Sequence, residues 1–485
     1  MARNIKIILY VCGSALCVIG FILILIWKPV FDYLLVKNIA LTNGSLTEQT
    51  WIQNSVPIYF KVYMFNWSNP EETLNENKKP NFVEMGPYTF KFLQVKSNIV
   101  WNENSTLTFN SDRIWTFVPE MSNGNLSDLV TNINAVAMTI GDRAKDWIKI
   151  GKIAVNEALE VLEGKIYVTK TVEDLLFDGY QDRLLNIANY IKPKIPFDIG
   201  YLPEKFGWYF KKNVSEIDVF NIHTGTDNIN LLGKVNSWNY STQCGVYSDS
   251  CDRVRGSLGD LWPMNISAEN TASIFVSDFC GAFDLIKVGN TERLYNVAGV
   301  RFIGTERTFD NGTRFPENLC YCKNYQCQYL SGIRDVSDCV HAPIRISFPH
   351  FYLADESYRQ NVSGMDPVLE KHQFSVTLQK DSGIPMEIFA RLQINVDVQP
   401  YPGIAFFSRL PKAMFPTVWF EEHAELPNDL RGKLNLLFTQ LPGWLPVSAF
   451  VLMTLGAIII TIGCISSRFY RQNSDSEVPY TTQTE

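Results

Sequence analysis

Residues 7–27 read Ile-Ile-Leu-Tyr-Val-Cys-Gly-Ser-Ala-Leu-Cys-Val-Ile-Gly-Phe-Ile-Leu-Ile-Leu-Ile-Trp, 21 positions without a charge. At 1.5 Å per residue a helix of that length covers about 30 Å, the thickness of a bilayer's hydrocarbon core. Thirteen of these residues are Leu, Ile, Val or Phe, and at roughly −0.4 kcal/mol each they favour insertion by on the order of 5 kcal/mol. A cleaved signal peptide has a shorter apolar core and a small-residue cleavage site, whereas this run ends in Trp27-Lys28-Pro29. It therefore reads as a signal anchor. Its counterpart is 444–465, a second uncharged run of 22 residues followed by Arg468 and Arg471, too long and too apolar for an ordinary buried helix. Together they predict residues 1–6 in the cytoplasm, a span at 7–27, an extracellular or lumenal domain over 28–443, a span at 444–465 and a cytoplasmic tail over 466–485.

The intervening chain agrees. Nine Asn-x-Ser/Thr sequons, at Asn43, Asn66, Asn104, Asn125, Asn213, Asn239, Asn265, Asn311 and Asn361, all lie between the two runs. One or two of them are expected to stay unglycosylated. Of the ten cysteines, Cys12, Cys17 and Cys464 belong to the spans, and the other seven fall within the 96 residues 244–339. In an oxidising compartment such clustering reads as disulfides stapling one subregion rather than as a zinc site. Seven is odd, and sequence alone leaves the connectivity open. Cys464, at the cytoplasmic edge of the second span, is a palmitoylation candidate.

With 46% apolar, 13% aromatic and 19% charged residues the chain can bury a large core. A net charge of −7 excludes a whole-chain positive field for nucleic acid, so an anionic partner needs a local patch. Residues 51–92 alternate strand-like runs with Asn, Pro and Gly punctuation, which predicts short antiparallel strands. Apolar spacing turns helical over 128–162, and a second helix is predicted to start near Thr171, with Asp174 three residues on. Strand patterning returns after residue 200 and runs through 390–398. The expectation is one large α+β domain, with only the tail from Ser466 disordered.

Chemistry is sparse. The five histidines include no i, i+4 pair, and no Gly-x-Ser-x-Gly elbow, phosphate loop or dinucleotide fingerprint occurs. The prediction is a protein that is not an enzyme, with no catalytic residues, metal or cofactor; His341 and His350 are read as structural hydrogen-bonding residues. The one suggestive constellation is Lys145, Lys149 and Lys152, whose spacing puts three ammonium groups along one helix face as a landing strip for anionic particles or headgroups. Lys165 and Lys170, bracketing Ile166-Tyr-Val-Thr, suit carboxylate-bearing lipids as well.

Several segments match in order: Phe65-Asn66 with Asn69-Pro70-Glu71-Glu72; Lys79-Pro80 with Glu84-Met85-Gly86-Pro87-Tyr88; Arg253, Gly256, Gly259 and Trp262-Pro263; Ser347-Phe348-Pro349-His350-Phe351-Tyr352; Gly364-Met365-Asp366-Pro367 with His372; and Gly383-Ile384-Pro385 before Gln393-Ile394-Asn395. Through them nearly the whole chain resembles the class B scavenger receptor family, the group of the fatty-acid translocase, the high-density lipoprotein receptor and the type-two lysosomal integral membrane protein.

The resemblance implies an antiparallel β-barrel-like core, an apical helical bundle over 131–190 and an apolar tunnel that delivers lipid to the membrane. It places Lys145, Lys149 and Lys152 where the family binds ligands, and Lys165 to Val172 near the lipid entrance. The partners it implies are fatty acids, sterols, carotenoids or phospholipids, and lipoprotein-like or anionic particles, with a second copy of the chain also permitted. A binding receptor for protein partners, working in trafficking, adhesion or corpse recognition without lipid transport, is the alternative. Carried over, the family's disulfides are Cys244–Cys320, Cys280–Cys339 and Cys322–Cys327, with Cys251 left over and a Cys244–Cys251 bridge as the other option. Cys280-Gly281-Ala282 and Leu176-Phe177-Asp178-Gly179-Tyr180 depart from the family's usual forms, which suggests a divergent, invertebrate-type member. The tail from 466 holds no leucine, hence no acidic dileucine signal, and the expected location is the plasma membrane with both termini cytoplasmic; endosomes or lysosomes are the alternative.

Overall fold

The computed structural model describes residues 2–53, 56–162, 164–191, 203–210 and 218–475. The sequon at Asn213 and the tail beyond residue 475 lie outside the described residues. The chain divides into two compact units.

The first unit takes in residues 1–39, 293–298 and 428–485. Helix α1 (Ala2–Ile39) and the C-terminal helix (Leu441–Asp475) are both long and apolar enough to cross a membrane. Each outruns its apolar stretch. The segment after Ser466, expected to be disordered, continues the helix to Asp475, because Ser466-Ser-Arg-Phe-Tyr contains neither Gly nor Pro to interrupt it. The two helices close-pack on glycine. A Cβ at Gly456 would lie 2.6 Å from Cys17 Sγ and from the Gly13 carbonyl, and one at Gly20 would lie 2.7 Å from the Ala449 carbonyl. Small residues are what permit such contact between helices in a bilayer, where lipid is as apolar as leucine.

The second unit takes in 40–292 and 299–427 and, among the described residues, is built on a 13-stranded sheet. Its strands, with one separate pair, are β1 (Ile58–Trp67), β2 (Phe82–Trp101), β3 (Thr106–Phe117), β4 (Leu129–Ile133), β5 (Tyr167–Thr171), β6 (Val219–His223), β7 (Val235–Trp238), β8 (Thr271–Val276), β9 (Gly281–Leu294), β10 (Val297–Ile303), β11 (Ile333–Asp335), β12 (Ile344–Ser347), β13 (Ser375–Gln379), β14 (Pro385–Val398) and β15 (Ala413–Glu425). The order is β7-β6-β3-β2-β1-β15-β14-β13-β10-β9-β8, with β11 and β12 branching from β14; β4 and β5 pair apart. The two edges, β7 and β8, are joined through one short segment. Val235 N–H donates to the Gly256 carbonyl at 2.8 Å, and Ser257 exchanges bonds with Ser273 and Phe275 at 2.9 and 2.8 Å. This bridging nearly closes the sheet into a barrel and pairs edges that would otherwise recruit foreign strands. Gly256 is required there: its φ is +96°, and a Cβ would lie 2.6 Å from the Ser273 carbonyl.

Burial follows the strand period along β1 as far as Met64 and abandons it in the adjacent β15. β1 alternates buried and half-buried positions, whereas the first nine residues of β15 are all buried, as a strand covered on both faces should be. The strands expected to be short are not. β2 runs for 20 residues, and two brief helices, α2 (Leu46–Ile52) and α3 (Pro70–Glu76), interrupt the region that read as strand alone.

Candidate functional site

The surface with most to offer is the helical region on one side of β4 and β5. Asn134 organises it. Its Oδ1 accepts the Val136 and Ala137 N–H groups at 3.1 Å and so caps α4 (Ala135–Ala144), while its Nδ2 donates to the Lys165 carbonyl at 3.0 Å and to Asp182 Oδ2 at 3.2 Å. Asp182 in turn accepts the Leu184 N–H at the start of α6 (Arg183–Ile191). One buried amide and one buried carboxylate thus fix two helices to the strand entering from Lys165. Only the Asn-Ala-Val-Ala step before the helix hinted at the cap. α4 lies flat on the core because Gly141 admits the Tyr401 ring, whose carbons would stand 2.5 Å from a Cβ.

The lysine stripe does not survive as one face. α4 ends at Ala144, the chain turns through Trp147, and α5 (Lys149–Val161) starts anew after Ile148, which is extended at φ −62°, ψ 155°. Lys145 sits at the C-cap of one helix, paired with Asp142 at 2.8 Å, whereas Lys149 and Lys152 open the next. At the break the half-buried Trp147 ring packs against the core and over Gly151. Lys149 is exposed, and Lys152 lies with its stem beside Gly403. Lys165 is exposed; Lys170 is half-buried, its ammonium 5.1 Å over the Tyr180 ring. The helix expected near Thr171 is present: Thr171 closes β5, residues 172–178 are helical, and the Thr171 hydroxyl oxygen accepts the Asp174 N–H at 3.1 Å.

What the charge pattern hid is an apolar surface. Ile148, Ile150 and Val161 are 77%, 76% and 77% exposed and Ile153 49%, and α5 buries only Leu159. Beside this segment is a cleft of about 240 Å³ with Leu74, Ile166, Ala405 and Phe406 on its apolar wall and Glu71, Asn75 and Arg409 at its polar side. Arg409 donates to Asn75 Oδ1 at 3.0 Å, and Glu71 takes the Tyr167 hydroxyl.

The disulfides require one correction. Cys251, not Cys244, pairs with Cys320; Cys280–Cys339 and Cys322–Cys327 complete the set, and Cys244 is a free thiol. The reason is Asp252. Its carboxylate accepts the N–H groups of Gly245, Val246 and Tyr247 at 2.8–3.1 Å, while its carbonyl accepts that of Cys244. This folds the loop so that Cys251 is buried with its Cα 5.6 Å from that of Cys320. Burial, followed by the nearby Asp252 charge, pushes the Cys244 thiol up to about 12, which keeps it protonated and inert. Cys464 is exposed. Among the sequons, Asn43, Asn104, Asn125, Asn239, Asn265 and Asn361 are exposed, and Asn66 and Asn311 are half-buried.

His350 is held by Glu84, with Nε2 to Oε2 at 2.6 Å, and by the Asp366 N–H, which donates to Nδ1 at 3.0 Å. Glu84 also accepts the Trp419 indole N–H at 2.7 Å, and these bonds lower its carboxyl against the upward push of burial. The His341 carbonyl accepts from Arg143 at 2.9 Å. Among the described residues no group of three His, Cys, Asp or Glu side chains could hold a metal.

A nearly closed antiparallel barrel, a helical region with an exposed apolar and cationic surface, and two terminal apolar helices define a two-helix membrane protein with one large folded domain. The chain belongs to the CD36 family, whose model matches residues 11–467. It is 33% identical to the protein peste of Drosophila melanogaster over 417 residues, covering 85% of this chain and 74% of peste. It is 28% identical to scavenger receptor class B member 1 of Bos taurus over 474 residues, 96% of this chain and 89% of that protein, and 28% identical to lysosome membrane protein 2 of Mus musculus over 441 residues, 89% and 88%.

Proposed function

We propose that the protein is a class B scavenger-type receptor of the plasma membrane that binds lipids or lipoprotein-like particles on its helical surface and passes lipid through the interior of the large domain to the membrane. In this reading both termini are cytoplasmic and residues 28–443 face outward. The observation that carries it is the exposure of Ile148, Ile150, Ile153 and Val161 around Lys149. Burying one such side chain in a lipid surface gains roughly 1.5–3 kcal/mol, whereas a lysine near an anionic surface gains about 1 kcal/mol. The isoleucines therefore dominate and the lysines steer. The 240 Å³ cleft beside Ile166 and Phe406 is the lipid mouth in this account. It is smaller than the about 300–1,000 Å³ of a complete ligand site, which suits an opening that admits a chain rather than enclosing it.

Binding of phosphatidylserine-containing emulsion particles to cells bearing the full chain tests the surface. Ile148→Asp with Ile150→Asp should weaken binding more than Lys145→Gln with Lys149→Gln, and only the lysine contribution should fade with salt. Undiminished binding by the isoleucine variant would reject it, and a protein ligand held without any lipid dependence would favour the adhesion or trafficking alternative.

A further inference from the structure

On another part of the barrel, β3, β6 and β7 and the turns beside them enclose a cleft of about 660 Å³, within the range of small-molecule sites. Asn102, Asn104, Thr106, Thr108, Asn221 and Asn236 supply amides and hydroxyls, Trp101 and Tyr240 supply two aromatic faces, and Glu103 is its sole charged side chain. Among the described residues its lining offers no cation to hold a phosphate and no acid cluster to hold a metal. Hydroxyl-rich rings with an apolar face are what amides and aromatic planes recognise together.

The wall is already ordered. Asn102 and Asn221 each donate from Nδ2 to both Thr106 Oγ1 and Thr108 Oγ1, at 2.9–3.1 Å, and Asn236 donates to Asn221 Oδ1 at 2.9 Å. Thr106 gives its own proton to Asn104 Oδ1 at 2.7 Å. Thr108 Oγ1 accepts two amides, so its proton is directed to a further acceptor. The ladder fixes the wall, and the exposed Asn236 and Tyr240 are the lining groups left to meet a ligand. Tyr240 is 82% exposed and stands at its rim.

Asn104, one of the lining residues, heads the sequon Asn104-Ser105-Thr106. We propose that this cleft cradles the proximal sugars of the N-glycan carried by Asn104. A tethered glycan meets the cleft at an effective concentration in the millimolar range or above, so it outcompetes any free saccharide for the same groups. The cradle makes the glycan part of the folded surface along β3, β6 and β7.

The test is native deglycosylation of the full-length chain by peptide N-glycanase, with release at each site followed by glycopeptide mass spectrometry. The enzyme acts on the released glycan, so the rate at a cradled site falls by the fraction released. We expect Asn104 to lose its glycan about tenfold or more slowly than the exposed Asn43 and Asn361, and all three to react alike once the chain is denatured. Asn236→Ala with Tyr240→Ala removes two exposed rim groups, preserves the neighbouring sequon at Asn239 and should bring Asn104 to the rate of the other sites. Equal native rates, an unoccupied Asn104, slow release at Asn239 in place of Asn104, or slow release unaffected by the double substitution would each overturn the proposal.

Discussion

His350 and His372 stack face to face, with ring centroids 4.4 Å apart and planes 7° from parallel. Each accepts a backbone N–H on Nδ1, His350 from Asp366 and His372 from Val368. The two rings thereby clasp one loop, and a proton on His372 Nδ1 would displace the Val368 N–H it accepts.

Burial, and after it the neighbouring His350, pushes His372 down to about 3; Glu84 acts in the opposite sense, and Arg391 and Lys371 add to the depression. The folded chain therefore refuses a proton that the unfolded chain takes near its ordinary value of about 6.5. The contribution is whole above about pH 6.5 and is lost progressively as pH falls toward 3, at up to about 1.4 kcal/mol per pH unit. Wild type should lose about 2 kcal/mol more than His372→Gln between pH 6.5 and 5, read from melting curves; parallel curves would refute the assignment.

The Cys251–Cys320 pairing predicts that unreduced peptide mapping recovers that bridge and an alkylatable Cys244 only after denaturation. Cys244→Ser should be tolerated, whereas Cys251→Ser should cost about 2–4 kcal/mol. Recovery of a Cys244–Cys320 peptide would restore the pairing that the family resemblance implied.

Asn311 has its side-chain amide engaged from both ends. Nδ2 donates to the Tyr329 carbonyl at 2.9 Å, and Oδ1 accepts the Thr313 N–H at 3.2 Å and the Ser331 hydroxyl at 2.9 Å. Its glycan occupancy, measured by glycopeptide mass spectrometry, should fall well below that of Asn43 and Asn361. Full occupancy at Asn311 would contradict this geometry.

Within the helical pair, Gly456→Leu should lower the melting temperature of the detergent-solubilised chain, at a cost of about 1–3 kcal/mol for the overpacked contact. Gly443→Leu is the comparison, because no atom lies within 4 Å of a Cβ there. Equal effects of the two substitutions would exclude glycine-mediated packing.

The apolar helices were legible because hydropathy over twenty residues needs no partner to interpret. Strands were legible as alternation, as in Ile58–Trp67, but Ser257 as the closure between β7 and β8 was not, since such a contact depends on residues far apart in the chain. The lysine stripe misled because periodicity sees spacing and not the extended Ile148 that separates α4 from α5. The exposed isoleucines were hidden as well, since helical spacing puts residue 148 on the apolar face of a continuous helix and gives Ile150 no role. Cysteine count fixed the subregion, while Asp252, which no cysteine spacing reveals, decides the partner of Cys320.

Passage of lipid from a particle into the protein is tested most directly by uptake into cells bearing the full chain from emulsion particles with separately labelled core lipid and coat protein. Saturable lipid uptake in excess of coat uptake is expected, lost when the mouth is filled by Leu74→Trp with Ala405→Trp while particle binding persists. Coat and lipid entering in equal proportion, untouched by that substitution, would contradict it and leave a binding receptor alone.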